Sequence, residues 1–218
     1  RKGDYAEAHH DLGLAYFSQG NLPDAVESYK KAIEQRPDKR YPESYYSLGT
    51  AFNAQGNLAN AIESYRTAIS QQNGVYPEAH YSLGLVLMQQ ESYKEAEQTF
   101  RKAIEQQPMF PSAYYSLGLT LHRAGNLQTA VTEFRTSIKQ NPNLPWTHYR
   151  LGRVLYELGE LDTSINELQQ AVKLQQNFPA AHCDLGRAFY DKGDLNSAIA
   201  TYRTALQQLG NLPEALHG

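Results

Sequence analysis

Apolar and small residues recur along this chain at offsets that fit one face of a helix, and a single stretch sets the frame. Residues 114–125 read Tyr-Tyr-Ser-Leu-Gly-Leu-Thr-Leu-His-Arg-Ala-Gly. The central Leu-Gly pair occurs as Leu12-Gly13, Leu48-Gly49, Leu83-Gly84, Leu117-Gly118, Leu151-Gly152 and Leu185-Gly186, spaced by 36, 35, 34, 34 and 34 residues. With this pair at positions 7 and 8, repeats start at Ala6, Pro42, Pro77, Pro111, Pro145 and Pro179. Position 4 carries His9, Tyr45, His80, Tyr114, His148 and His182; position 11 carries Tyr16, Phe52, Leu87, Leu121, Leu155 and Phe189. Positions 4, 7, 8 and 11 follow an i, i+3, i+4, i+7 rule, one face of a helix. Gly in mid-helix costs about 1 kcal/mol against Ala, so its use at position 8 predicts a neighbour that must approach closely.

A turn follows at Gly20-Asn21, Gly56-Asn57, Gly125-Asn126, Gly159-Glu160 and Gly193-Asp194, where Gly suits a helix C-terminus and Asn or Asp caps the next helix. The third repeat has Glu91-Ser92 instead, with Ser92 expected to cap. The second helix is small, large, small at positions 20, 24 and 27: Ala25-Tyr29-Ala32, Ala61-Tyr65-Ala68, Ala96-Phe100-Ala103, Ala130-Phe134-Ser137, Ser164-Leu168-Ala171 and Ala198-Tyr202-Ala205. This predicts a knob between two close contacts. Pro37, Pro108 and Pro142 are expected to stop second helices. An apolar residue precedes each first helix (Tyr5, Tyr41, Tyr76, Phe110, Leu144, Phe178, Leu212) and is expected to pack back on the preceding repeat.

The pattern predicts twelve helices in six antiparallel pairs and no strand. First helices are expected near 6–19, 42–55, 77–90, 111–124, 145–158 and 179–192; second helices start near Leu22, Leu58, Tyr93, Leu127, Leu161 and Leu195. A period of this length marks a stack of helical units, here one array over 1–218 with repeats at 6–41, 42–76, 77–110, 111–144, 145–178 and 179–212. Residues 213–218 open a seventh repeat and 1–5 align with the end of an earlier one, so the chain reads as a fragment of a longer array. Its last helix is expected to leave Ile199, Tyr202 and Leu206 as an apolar end, with only 212–216 to follow.

These residues resemble the tetratricopeptide repeat (TPR): a large residue at position 4, then Leu, Gly, Tyr, Ala, Phe, Ala and Pro at positions 7, 8, 11, 20, 24, 27 and 32. The mildest departure is His or Tyr for Trp at position 4. The resemblance implies an all-α fold, a right-handed α-α superhelix (TPR solenoid), whose concave groove is lined by first helices and holds peptides or partner proteins. Family codes for particular ligands are missing. The carboxylate clamp for chaperone C-termini resembles Lys at position 5, which no repeat has. The Asn ladder of O-linked N-acetylglucosamine transferase would fall on Asp11, Ser47, Ser82, Ser116, Arg150 and Asp184.

Composition narrows the partners. A formal net charge of −3 over 218 residues argues against a nucleic-acid or anionic-membrane binder. One cysteine, Cys183, excludes an internal disulfide framework. No apolar run approaches the roughly 20 residues of a membrane span, and no secretory signal opens the chain; a soluble, cytoplasmic setting is favoured. No Cys pair, HExxH, phosphate-binding Gly-rich loop or nucleophile elbow occurs, so no catalytic residue, metal or cofactor is expected. The position 4 histidines read as rings packed between helices.

The groove face is expected at positions 2, 5, 9 and 12. Position 5 reads His10, Tyr46, Tyr81, Tyr115, Tyr149 and Cys183, an aromatic ladder that can stack on an extended chain. Leu85 and Leu119 at position 9 make mid-groove hydrophobic. Trp146 at position 2 is a hot-spot anchor or packs on its own loop. Arg123, Arg150, Arg153 and Arg187 cluster toward the end, either to meet an acidic segment or to pair with Asp184, Asp191 or Glu157. The first functional reading is a non-catalytic scaffold, such as an assembly factor, binding a protein segment with an apolar and an acidic part. The alternatives are a substrate-recruiting or regulatory arm of a larger enzyme, and an array that self-assembles through exposed solenoid ends as a homo-oligomer.

Overall fold

The computed structural model describes residues 5–210 apart from 37 and 39. Expectations for Pro37, Lys39, residues 1–4, Leu212 and the seventh repeat at 213–218 lie outside the described residues. Among those described there are twelve helices and no strand. First helices of the hairpins are α1 (Tyr5–Ser18), α3 (Pro42–Ala54), α5 (Pro77–Gln89), α7 (Pro111–Arg123), α9 (Pro145–Glu157) and α11 (Pro179–Lys192). Second helices are α2 (Leu22–Glu34), α4 (Leu58–Gln71), α6 (Tyr93–Gln106), α8 (Leu127–Gln140), α10 (Leu161–Leu174) and α12 (Leu195–Gly210).

Every second helix begins where the capping pattern places it. Five first helices, α1, α3, α5, α7 and α9, stop one residue early because the turn takes over their last carbonyls, and α1 starts one residue early, at Tyr5. At the α3–α4 turn, Gly56 N–H donates to Asn53 O at 2.9 Å and Asn57 N–H to Phe52 O at 2.9 Å. Asn57 then accepts from the backbone N–H of Asn60 at 3.3 Å. The third hairpin differs. Glu91 holds the left-handed conformation, φ 60°, that Gly adopts at the other turns, and Ser92 makes no side-chain cap hydrogen bond. The expected Ser92 cap is therefore corrected, and so is that of Asn126, whose side chain makes no cap hydrogen bond either: the backbone N–H of Ser92 bonds to Leu87 O at 2.9 Å, but its hydroxyl is not used for capping.

Hairpins close on the small-against-large pattern. A Cβ built on Gly84 would lie 2.7 Å from Phe100 Cε1, and one on Gly152 would lie 2.7 Å from Leu168 Cγ. Phe100 and Leu168 are fully buried, flanked by buried Ala96 and Ala103 and by Ser164 and Ala171. Position 8 is thus Gly because the ring or branched side chain of its partner helix occupies the space a methyl would need.

The chain divides into two compact units, Arg1–Met109 and Phe110–Gly218, each with three hairpins. In the first, α2 packs on α3 and α4 on α5; in the second, α8 packs on α9 and α10 on α11. First helices of successive hairpins also touch (α1 with α3, α3 with α5, α7 with α9, α9 with α11), whereas among the described residues successive second helices make no backbone approach. Such a stack must curve with its first helices on the inner side, which places positions 2, 5, 9 and 12 along the inner face of each unit.

Candidate partner-binding surface

In the first unit the position 5 rings are wedged between hairpins. Tyr46 lies 5.7 Å from Tyr65 of its own hairpin and 5.4 Å from Tyr76, the residue that caps α5. Its hydroxyl meets Ser82 Oγ at 3.3 Å. His10 repeats the arrangement, 5.6 Å from Tyr29 and 5.4 Å from Tyr41, with Nδ1 at 2.8 Å from Ser44 Oγ. Tyr81 packs on Phe100 at 5.9 Å. The apolar residue before a first helix thus packs on the preceding repeat, as the staple argument requires. Tyr46, Tyr81 and Leu85 remain half-buried.

The second unit carries more chemistry. Trp146 is 48% exposed at the start of α9. Its ring lies 4.5 Å from Phe178, which caps α11, and meets Tyr149 edge-on at 5.9 Å. Tyr149, expected as a further panel of an aromatic wall, is only 6% exposed. It lies under Trp146 and against Phe178 at 4.9 Å, within the buried cluster of Ile165, Leu168 and Leu185. That expectation is corrected: the ring is part of the core. The hydroxyl donates to Asp184 Oδ2 at 3.1 Å. Burial, then the Asp184 charge, pushes the phenol above its ordinary range and keeps it a donor.

Asp184 collects the cations as well. Arg153 Nε lies 3.5 Å from Asp184 Oδ2 and Arg187 Nη1 lies 3.7 Å from Oδ1. Arg153, Tyr156, Glu157, Leu168, Asp184 and Arg187 line a cleft of about 100 Å³. Arg150 sits 5.5 Å over the Tyr149 ring with its Nε buried and without a hydrogen-bond partner. Two further rungs cross from α7 to α9 and from α9 to α11. His122 Nε2 meets Glu157 Oε2 at 2.9 Å, and Tyr156 donates to Asp191 in a very short hydrogen bond. That bond raises the Tyr156 pKa. On α7, Tyr115 packs on Phe134 at 5.9 Å, Leu119 is half-buried and Arg123 is exposed.

The fold therefore brings Trp146, Tyr149, Arg150, Arg153 and Arg187 together. It places Tyr115, Leu119 and Arg123 on the neighbouring helix of the same unit, and Tyr46, Tyr81 and Leu85 on the other unit. Pairing of the arginines with Asp184, one of the alternatives the sequence offered, holds for Arg153 and Arg187; what sequence reasoning missed is that Asp184 also takes the Tyr149 hydroxyl, and Tyr156 as a member. The signal available was a spacing: Tyr149–Asp184, Tyr156–Asp191 and His122–Glu157 each lie 35 residues apart. Position 4 gives a structural clamp. His148 has Nδ1 2.7 Å from Glu167 Oε2 and Nε2 3.1 Å from Pro142 O, tying helix and loop together.

Among the described residues no helix is long and apolar enough to cross a membrane. A family model described as TPR repeat matches residues 13–56 and 152–193. Two described as tetratricopeptide repeat match 46–108 with 81–145, and 179–208. A search of curated protein sequences gives no match. Solved structures show the same fold. A Pseudomonas aeruginosa protein, pilF, superposes with a TM-score of 0.78 at 22% identity, covering 92% of this chain and 90% of its own. The crystal structure of MamA gives 0.72 at 23%, covering 75% and 95%. YrrB, described as a TPR protein with an unusual peptide-binding site, gives 0.72 at 21%, covering 86% and 95%.

Proposed function

Because the chain belongs to the tetratricopeptide repeat family, whose members are protein-interaction scaffolds, we propose that it is a non-catalytic scaffold whose second unit holds an acidic, partly apolar segment of a partner protein. The observation that carries this reading is the Asp184 site. A half-buried carboxylate there takes the Tyr149 hydroxyl and faces two arginines in an open cleft. A partner carboxylate can share or displace these bonds with Arg153 and Arg187, and Arg150 and Arg123 extend the cationic surface. Trp146, with half its surface in water beside the cleft, takes the apolar part, with Leu119 and Tyr115 on the adjoining helix. In the first unit Tyr46, Tyr81 and Leu85 form a separate apolar surface on the equivalent face. YrrB, of the same fold, is described as having a peptide-binding site, which agrees with this use of the fold.

The test is selection from a displayed random-peptide library on the immobilised chain. Selected peptides should pair Asp or Glu with an aromatic or aliphatic residue, and their affinity should fall as salt rises. Trp146→Ala should cost about 2 kcal/mol or more as a hot spot, and Arg153→Glu should remove the acidic preference. Peptides that bind both variants like the wild type would place the site elsewhere.

A further inference from the structure

At two junctions of the first unit a tyrosine before a first helix stands with a position 2 glutamate of the preceding repeat, and the two junctions differ in one residue. Before α3, Arg36 Cζ lies 4.7 Å over the Tyr41 ring and Arg36 Nη2 lies 3.5 Å from Glu7 Oε1. Before α5 the same parts recur one repeat on: Tyr76 takes the place of Tyr41, and Glu43 that of Glu7. Burial first, then Glu43, Tyr46 and Glu78, push the Tyr76 phenol up to about 12, so both carboxylates bear on this ring. The residue in the place of Arg36, equally far beyond the start of its second helix, is Gln72. Glu43 and Glu78 are exposed, and among the described residues neither is in an ion pair.

We propose that Tyr76, Glu43 and Glu78 receive an arginine of a partner protein segment, in the way that Tyr41 and Glu7 receive Arg36. Guanidinium suits the site because it joins a planar face for an aromatic ring to N–H donors for carboxylates. The charge of the surrounding face agrees. Helices α1, α3 and α5 carry Glu7, Asp11, Glu43 and Glu78 and no Lys or Arg. The helix dipole accounts for Glu in a first turn, but it equally favours cations in a last turn, and these three helices have none there. Tyr81 and Leu85, at i+3 and i+7 from Glu78, offer half-buried apolar surface to residues flanking that arginine. The site prefers the charge opposite to that proposed for the second unit, and it stands whether or not that reading holds.

Fluorescence anisotropy with a labelled peptide of alternating Arg and Leu tests this. It should bind the full chain, and a twin with citrulline for Arg, alike in shape but uncharged, should not. Glu43→Gln with Glu78→Gln should weaken binding about tenfold, the loss of two exposed ion pairs. Glu63→Gln with Glu105→Gln removes the same charge from exposed positions of α4 and α6 and should leave binding unchanged. Gln72→Arg should supply the chain's own cation and weaken the peptide by a similar factor. Circular dichroism checks that every variant keeps its helicity. Arg153→Glu, in the second unit, should not weaken this peptide, so failure here and failure of the second-unit reading show separately. The proposal is overturned by a wild-type chain that does not bind, by equal binding of the citrulline twin, or by an equal loss in the Glu63 and Glu105 control. Binding that survives either the loss of both carboxylates or Gln72→Arg overturns it as well.

Discussion

Gly84→Ala sets two physical effects against each other. Helix propensity alone makes the change stabilising by about 1 kcal/mol, because Gly84 is in the interior of α5. Packing opposes it. The new methyl would lie 2.7, 2.8 and 2.9 Å from Cε1, Cδ1 and Cζ of Phe100. Carbon atoms prefer about 3.5–4.0 Å, so three ring atoms would each overlap it by roughly 0.6–1.3 Å. Phe100 is fully buried between Ala96 and Ala103 and has no room to swing aside. Overpacking of this kind costs about 1–3 kcal/mol; three overlaps on a fixed ring point to the upper end and a net loss of about 2 kcal/mol. Urea denaturation followed by circular dichroism reads the midpoint. Amide exchange localises the loss to α5 and α6, which matters because repeat arrays need not unfold all-or-none. In a Phe100→Ala background the same substitution should stabilise by about 1 kcal/mol. Gly84→Ala raising the midpoint in the wild-type background would refute the close-packing argument.

Three further outcomes are expected. The His148 ring faces acceptors at both nitrogens, so although burial favours the neutral form, Glu167 and the Pro142 carbonyl raise its pKa above the ordinary value. Its stabilisation should be complete below the unfolded value of about 6.5 and lost as pH rises through the folded value. An NMR titration should show the raised pKa, and Glu167→Gln should bring it down; an unmoved value would sink the assignment. Asp184→Asn should free Arg153 and Arg187, tightening binding of a fluorescent Glu-rich peptide about fivefold, equivalent to about 1 kcal/mol, as read by anisotropy; weaker binding would mean that Asp184 itself contacts the ligand. Glu91→Gly should raise stability by about 0.5–1 kcal/mol, since a left-handed L-residue costs about 1–2 kcal/mol and Gly gives part of that back as chain entropy; a lower urea midpoint would refute it.

Helix identity, pairing and, apart from α1, which starts at Tyr5 and not Ala6, start points were legible in the sequence, because each is decided locally. Leu-Gly and Ala-Phe-Ala rows at helical spacing, an Asn or Asp after Gly, and a Pro at the first position each act within a turn or two of chain. So was the reason for Gly at position 8, since a knob of fixed size was visible 16 residues on. What tertiary structure alone decided was which side of an inner-face residue meets water. Tyr46 and Tyr149 hold the same position in their repeats, yet Tyr46 is half-buried and Tyr149 is 6% exposed. Phe178 and Asp184 at Tyr149 have counterparts in Tyr76 and Ser82 at Tyr46; the difference is Trp146, which meets the Tyr149 ring edge-on where Glu43 stands in the second repeat. Those neighbours come from the same helix and from the next hairpin, 35 residues away in the case of Asp184, and their effect depends on how closely two hairpins stack. The same holds for the arginines. Their clustering on first helices could be read from spacing, but that Arg153 and Arg187 share one carboxylate was settled only when α9 and α11 were brought side by side.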